Sequence, residues 1–434
     1  MKVGVISLGC VKNRVDTEQM LALLTGAGYE VTNAPEEAEV LLVNTCGFIA
    51  PAKEESIDAI FEMAKYKKTG KCRVLCVTGC LAQRYADALL HDIPEIDCLL
   101  GVAQYADIVS LIDRALKGER PRADRRSTSM LECGRVLTTP PYSAYVRIAE
   151  GCDNRCAYCA IPLIRGGFRS RKRADIIKEM RALAQGGARE QILIAQDTTR
   201  FGRDTGDSLK NLIEEASGIP EIDWLRVLYM YPDETDFALL DAMASRDNVV
   251  KYLDLPLQHA SEGLLKKMNR RGTMESTRAL LSFARERGFC LRTTFIVGFP
   301  GETEEDFERL MDFTREMRFD RMGAFAFSRE EDTPAYDMPD QVPEEVKKER
   351  LDRLMRLQAG ISLEKNRARV GTTEKLLITG HDGLTYLGRS QMEAPDADGV
   401  IAVLSQNELK EGSFVRAKIT GAQTYDLTGE VTEE

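Results

Sequence analysis

Short apolar runs alternate with helix-spaced segments through the first 118 or so residues. Lys2–Leu8, Val40–Asn44 and Val74–Thr78 are β-rich and apolar, and Asp97–Leu100 is a shorter run of the same kind. Between them, Arg14–Leu24, Lys53–Lys65, Ala82–Leu90 and Ala106–Leu116 carry apolar residues at helical spacing. That alternation predicts an open parallel sheet flanked by helices. From residue 142 to about 335 a strand-then-helix unit recurs about six times. Its strands are expected near Tyr145–Ala149, Gln191–Ala195, Leu225–Met230, Val250–Leu255, Leu291–Val297 and Arg321–Phe327. Ala174–Leu183, Thr277–Arg287 and Glu304–Met317 are among the helices. Six such units predict an incomplete (β/α)6 barrel, with its active site at the C-terminal strand ends. A charged amphipathic helix is expected over residues 343–369. The tail carries short strands at Leu376–Thr379, Thr385–Arg389, Gly399–Val403 and Phe414–Thr420, parted by Gly and Asp turns. It reads as a small all-β, OB-like module. Residues 119–141 are basic, polar and poor in apolar positions, and read as a linker. The expected class is therefore α/β, divided into 1–118, the linker 119–141, 142–369 and 370–434.

Composition narrows the setting. The 434 residues are 43% apolar and 29% charged, ordinary values for a globular protein. No apolar stretch is long enough to span a bilayer, so no membrane partner is expected. Met1–Gly9 reads as a strand, without the basic start and small-residue cleavage site of a secretory signal. Eleven cysteines, an odd number in a chain without secretory features, argue for metal ligation in a reducing cytoplasm rather than for disulfides. The net charge of −10 matches a basic partner better than a phosphate backbone.

Six of the cysteines form two sets of three. Cys152, Cys156 and Cys159 make a CxxxCxxC run just after the strand expected at Tyr145–Ala149. Three thiolates in so short a loop can hold three irons of a four-iron cubane and leave the fourth iron open to a small molecule. A closed zinc site would need a fourth Cys or His close by, yet His91, His259 and His381 all lie far along the chain. Cys10, Cys46 and Cys80 each follow a predicted strand and each has a Gly beside it. Ligands in open α/β sheets bind beyond the carboxyl ends of the strands, so these three thiols form a second candidate cluster site. Cys72, Cys76, Cys98, Cys133 and Cys290 read as packing or incidental residues.

The CxxxCxxC run, with aromatic Tyr158 before its third Cys, resembles the radical S-adenosylmethionine (SAM) superfamily. The whole chain resembles the methylthiotransferases, which join a three-cysteine domain, a radical SAM domain and a C-terminal TRAM domain. Ser7–Glu18, Asn44–Ser56, Leu253–Ser261 and Ser328–Thr333 look like the branch that modifies an aspartate of a small-subunit ribosomal protein. The tRNA branch, which modifies an adenosine beside the anticodon, typically has Gln-Ser-Gly in place of Gln258-His259-Ala260. Lys172 stands where the family usually has Pro, and Asp332 where Gly is common.

The resemblance implies two [4Fe-4S] clusters, with SAM chelated at the open iron of the Cys152–Cys156–Cys159 group, whose cysteines thereby become the catalytic set. It implies a methylthio group added to the β-carbon of the aspartate, and a low-potential electron donor of flavodoxin or ferredoxin type. The ribosome is a further expected partner. Tyr158, Gln196, Asp197, Gln258 and Gly298 are candidate SAM contacts, although polar residues at strand ends also serve as helix caps. From Val370 onward 5 Lys/Arg face 11 Asp/Glu, a net of −6 that suits a basic protein partner. Against it, Arg155, Arg165, Arg169, Arg171, Lys172 and Arg173 form a local basic run that could neutralise SAM, the target carboxylate or RNA phosphate. The tRNA enzyme is the nearest alternative, and an iron–sulfur scaffold or electron carrier the alternative of a different class.

Overall fold

A computed structural model describes residues 1–125, 127 and 130–433. Residues 126, 128 and 129, part of the expected linker, and residue 434 lie outside the described residues. The chain divides into two compact units. One comprises Met1–Pro140, Tyr145–Glu179 and Ser328–Tyr336; the other comprises Pro141–Ala144, Met180–Phe327 and Asp337–Glu434. The division runs through the expected central region and places the CxxxCxxC loop with the N-terminal sheet.

In the first unit, β1 (Lys2–Ser7), β2 (Glu30–Thr32), β3 (Val40–Thr45), β4 (Val74–Gly79), β5 (Cys98–Leu100) and β6 (Arg122–Ala123) form one parallel sheet in the order β2-β1-β3-β4-β5-β6. Every residue of β3 and β4 is buried, as befits strands covered on both faces. Helices Val11–Gly26 and Ile108–Leu116 pack on one face, and Ala50–Ala64 and Ala86–Asp92 on the other. The single helix expected over Ala82–Leu90 is two, Cys80–Arg84 and Ala86–Asp92, parted at Tyr85. The expected linker is partly structured: β6 lies within it, and Arg135 is buried between Glu18 and Glu179 at 2.5 and 2.6 Å. Strand β7 (Ser143–Arg147) starts the central region. Short strands β8 (Ala149–Glu150) and β9 (Arg169–Ser170) then pair across the cysteine loop.

In the second unit, β10 (Glu190–Ile194) pairs in parallel with β11 (Trp224–Val227). Strands β12 (Tyr252–Gln258), β13 (Cys290–Val297) and β14 (Arg321–Ala326) form a further parallel ladder. With β7 these are the six expected strands, each followed by a helix. The helices start where sequence chemistry dictates: Thr303 caps Glu304–Met317 and exchanges hydrogen bonds with Asp306, and Thr273 and Ser276 do the same for Met274–Glu286. The tail is a closed barrel of β15 (Thr373–His381), β16 (Tyr386–Arg389), β17 (Ile401–Leu404), β18 (Phe414–Ala422) and β19 (Leu427–Glu433), ordered β15-β16-β17-β19-β18. Strand β19, absent from the sequence expectation, closes it. Two buried ion clusters seat this barrel within its unit. Glu190 accepts from Arg389 at 2.6 Å and Arg226 at 3.1 Å, while Glu393 accepts from Arg321 at 2.6 Å and Arg369 at 2.5 Å. Trp224 packs edge-on against Phe414, with ring centroids 4.8 Å apart. Among the described residues no helix is long and apolar enough to cross a membrane.

Candidate active site and cysteine triads

The parallel sheet of the first unit brings Cys10, Cys46 and Cys80 to its carboxyl edge. Cys10 follows β1 and precedes the first helix, Cys46 follows β3, and Cys80 opens the short helix after β4. Two glycines show how tightly their backbones meet. Gly9 has φ +83°, and a Cβ there would lie 2.8 Å from Cys46 Cβ and 3.1 Å from Cys46 Sγ. A Cβ on Gly47 would lie 2.8 Å from the Leu81 backbone and 3.0 Å from the Cys80 carbonyl carbon. Only glycine permits either approach.

Side chains fix this edge further. The Ser56 hydroxyl accepts from Cys46 N–H at 2.9 Å and donates to Cys46 C=O at 3.0 Å. Asn13 Nδ2 donates to Leu8 O at 3.2 Å and to Thr45 O at 3.0 Å, tying two strand ends together. Its Oδ1 accepts from the Cys80 thiol at 3.5 Å. Burial pushes the Cys80 thiol up to about 12, with Arg165 opposing it, and burial likewise raises Cys46. Cys10 is exposed, so the triad opens toward solvent on one side.

The second triad sits in the loop between β8 and helix Ile161–Arg165. Cys152 N–H donates to Gly166 O at 3.1 Å, Cys159 N–H donates to Cys156 O at 3.0 Å, and Arg155 holds a left-handed φ of +50°. Ala335 N–H donates to Ala157 O at 2.8 Å, which fastens segment 328–336 to the loop. In that segment Glu330 accepts from Lys53 at 2.9 Å and Arg84 at 3.1 Å. Burial would raise the Glu330 carboxyl, but these cations and Ser328 hold it below the usual carboxylate range.

Both triads offer three soft thiols. His91 is exposed on the first unit's surface, and His259 and His381 belong to the second unit. None of the eleven cysteines forms a disulfide. Among the described residues no group of three His, Cys, Asp or Glu converges as ligands of one ion do; the thiolates of a cubane each take a different iron and need no such convergence. The donor sets fit iron–sulfur clusters with an open iron. Cys72, Cys76 and Cys98 are buried in the core of the first unit, and Cys290 is buried in the second.

A buried charge network that the sequence does not announce joins the triads. Arg165 and Arg147 are buried with Asp16, Glu150 and Tyr105 in one network. Arg165 Nη1 donates to Glu150 at 2.9 Å, and its Nη2 donates to Asp16 at 2.8 Å and to Asn13 Oδ1 at 2.6 Å. The same Nη2 faces Cys80 Sγ at 3.7 Å. Arg147 donates to Asp16, to Glu150 and to Gln19 Oε1, and the Tyr105 hydroxyl donates to Asp16 at 2.9 Å. The basic run is thus no continuous surface patch. Arg165 and Arg171 are buried, the latter paired with Glu132 and Glu179 at 2.5 and 2.6 Å.

Of the candidate SAM contacts, Tyr158 lies in the first unit, between Ala157 and Cys159. Gln196, Asp197, Gln258 and Gly298 lie in the second, at or just beyond the ends of β10, β12 and β13. Asp197 Oδ1 accepts from the Thr199 N–H at 3.1 Å and its hydroxyl at 2.5 Å, which organises its own turn. Gln258 takes a left-handed φ of +73° although it is not glycine. Gly298 N–H donates to Glu302 at 2.7 Å, and a Cβ there would lie 2.3 Å from Lys347 Cγ. His259 is fully buried; its Nδ1 accepts from Ser261 N–H at 3.0 Å and its Nε2 lies 3.5 Å from Glu302. Tyr229, just beyond β11, has φ +61° and shares the strained strand-end geometry of Gln258; no sequence signal marks it.

Comparison with known proteins agrees with this architecture. Residues 2–101 match the model of the uncharacterized protein family UPF0004, residues 146–314 the radical SAM superfamily, and residues 370–432 the TRAM domain. Among solved structures, the radical SAM methyltransferase TsrM from Kitasatospora setae shares the fold with a TM-score of 0.58. It is 18% identical and the match covers 77% of this chain and 76% of that one. Fold and matches together define a radical SAM enzyme carrying a TRAM domain. The ribosomal protein uS12 methylthiotransferase RimO of Desulforudis audaxviator is 49% identical over 99% of this chain and 97% of its own length. That of Heliobacterium modesticaldum is 49% identical over 100% of this chain and 96% of its own. The chain belongs to the RimO family of methylthiotransferases.

Proposed function

We propose that this chain adds a methylthio group to the β-carbon of an aspartate in ribosomal protein uS12, using two [4Fe-4S] clusters and SAM in a reducing cytoplasm. Cys152, Cys156 and Cys159 would hold the cluster whose open iron takes the SAM amino acid group; Cys10, Cys46 and Cys80 would hold the second. When bound, these groups supply one-electron cleavage of SAM and sulfur delivery, which an aliphatic C–H bond requires because no side-chain base can deprotonate it. The chain's own part is placement. Asn13 ties the strand ends that carry Cys10 and Cys46, Ser56 clamps Cys46, and the Cys152–Cys159 loop is pinned at Gly166 and Ala335. Tyr158, Gln196, Asp197, Gln258 and Gly298 are assigned to SAM, and a low-potential flavodoxin- or ferredoxin-type protein to electron supply. The domain boundaries at 118, 141 and 369 belong to the same proposal.

One observation carries the reading: both triads fall in a single compact unit, where residues 165 and 166 contact the side chain of Cys80 and the backbone of Cys152. A scaffold or electron carrier would have no use for two open triads so joined. The test is an anaerobic reaction of reconstituted enzyme with SAM, sulfide and reductant. It contains both uS12 and a tRNA anticodon stem-loop, each followed by intact mass. A methylthio gain on the protein alone is expected. A gain on the RNA alone would overturn the substrate, and no gain on either, with no SAM cleavage, would favour the carrier.

A further inference from the structure

We infer that Arg165 is a positioning residue for the Cys10–Cys46–Cys80 triad and raises the reduction potential of the cluster held there. The inference rests on the reading above that this triad binds a cluster. Arg165 is almost wholly buried, with 3% of its surface exposed. Its Nη2 stands 3.7 Å from Cys80 Sγ, and the same nitrogen is held by Asp16 at 2.8 Å and by Asn13 Oδ1 at 2.6 Å. Asn13 also bonds the backbone at Leu8 and Thr45, beside the other two cysteines. One guanidinium is therefore locked at a fixed distance from one ligand and, through Asn13, to the backbone next to the other two.

The donor pattern changes when Cys80 becomes a ligand. As a thiol, Cys80 donates to Asn13 Oδ1 at 3.5 Å. A cluster-bound thiolate has no proton to give and can only accept, so it shares one of the two Nη2 hydrogens with Asn13 Oδ1 or Asp16 and faces the guanidinium charge at 3.7 Å. Hydrogen bonds to the sulfurs and nearby positive charge stabilise the reduced, more negative state of an iron–sulfur group. Arg165 ends the helix that follows the second triad, and the next residue, Gly166, accepts from Cys152 N–H at 3.1 Å. The loop of one triad thereby carries the side chain that tunes the other.

The test uses the full chain with Cys152, Cys156 and Cys159 replaced by Ala, so that iron can bind only at the first triad. In that background R165K, R165Q and the charge-balanced pair R165Q/D16N are reconstituted, assayed for iron, and titrated with dithionite under EPR observation. The potential is expected to move negative in R165Q and R165Q/D16N, with R165K between them and the parent. If R165Q alone does not fold, the balanced pair and R165K carry the test. Bound iron with an unchanged potential in R165Q/D16N overturns the inference and leaves the cluster reading standing. A parent background that binds no iron overturns the cluster reading, and the inference with it.

Discussion

Replacing Arg389 by Met should loosen the C-terminal barrel by about 3 kcal/mol, an amount derivable from one carboxylate. Glu190 is fully buried, and burial alone would raise its carboxyl. Arg389 and Arg226 outweigh burial and hold it at about 2 rather than its ordinary 4.5. At ~1.36 kcal/mol per pH unit that interval is roughly 3 kcal/mol of folding stability near neutrality. Arg389 is the closer partner, at 2.6 Å against 3.1 Å for Arg226. Its loss should therefore cost close to the lower end of the ~3–5 kcal/mol seen when one member of a buried pair is removed. For a unit of this size that is a fall of roughly 6–12 °C in Tm. The sign with pH is fixed. A carboxyl lowered in the folded state stabilises fully above its unfolded pKa, and that contribution is lost as pH falls from about 4.5 toward 2. The gap between R389M and the parent should therefore be full at pH 7 and shrink on acidification below about 4.5. The chain's single tryptophan, Trp224, touches Phe414 of the barrel, so its emission during anaerobic thermal unfolding reads the seat directly. A Tm within about 1 °C of the parent at pH 7, or a gap that widens in acid, would refute the reasoning.

Two further outcomes follow from the site. Cys156→Ala should abolish SAM cleavage, whereas Cys80→Ala should keep cleavage, lose about half the bound iron and end methylthio transfer; 5′-deoxyadenosine release and intact substrate mass separate the two. Gln258→Gly removes a left-handed strain of ~1 kcal/mol and adds a comparable unfolded-state entropy. Stability by denaturant should therefore stay within about 1 kcal/mol of the parent while SAM cleavage falls on the order of tenfold; unchanged cleavage would remove Gln258 from the SAM site.

What could be read from the sequence was what burial writes into composition. Strands β3 and β4 stood out because both faces are covered and each opens on four consecutive apolar residues. Strand β2 is an exposed three-residue edge and β6 has two residues, too short to leave a period. Strand β19 alternates Thr428 and Glu430 with Leu427, Gly429 and Val431, but its glycine weakens the signal. The break at Tyr85 had no proline or glycine to announce it; the ring reaches out so that its hydroxyl bonds Glu331 at 3.1 Å. The triads were legible because a Gly-Cys or Cys-Gly step at a strand end has few other uses. The buried roles of Asn13, Asp16 and Arg165 were not, since a polar or charged residue in a sequence gives no sign of whether a partner far along the chain will bury it.

That blindness bears most on the argument from charge. A net of −6 over the tail counts every residue as exposed. Glu393 is buried between Arg321 and Arg369, Arg389 is buried on Glu190, and Glu374 is paired with Arg369. Among the described residues the exposed acids of the barrel are Asp382, Asp396, Glu408, Glu411 and Glu430, facing exposed Lys375, Lys410, Arg416 and Lys418. Over these described residues the exposed charge is close to balanced. The basic run near the cysteine loop shrinks in the same way, because Arg165 and Arg171 are engaged inside. Neither the acidic tail nor the basic run therefore selects protein over RNA by bulk attraction. Both sets of charges act mainly within the fold: one seats the barrel in its unit, and the other joins the loop of one triad to a ligand of the other. Buried charge fixes geometry through paired hydrogen bonds and contributes little long-range field once neutralised. Substrate choice then rests on shape and local contacts rather than on bulk charge.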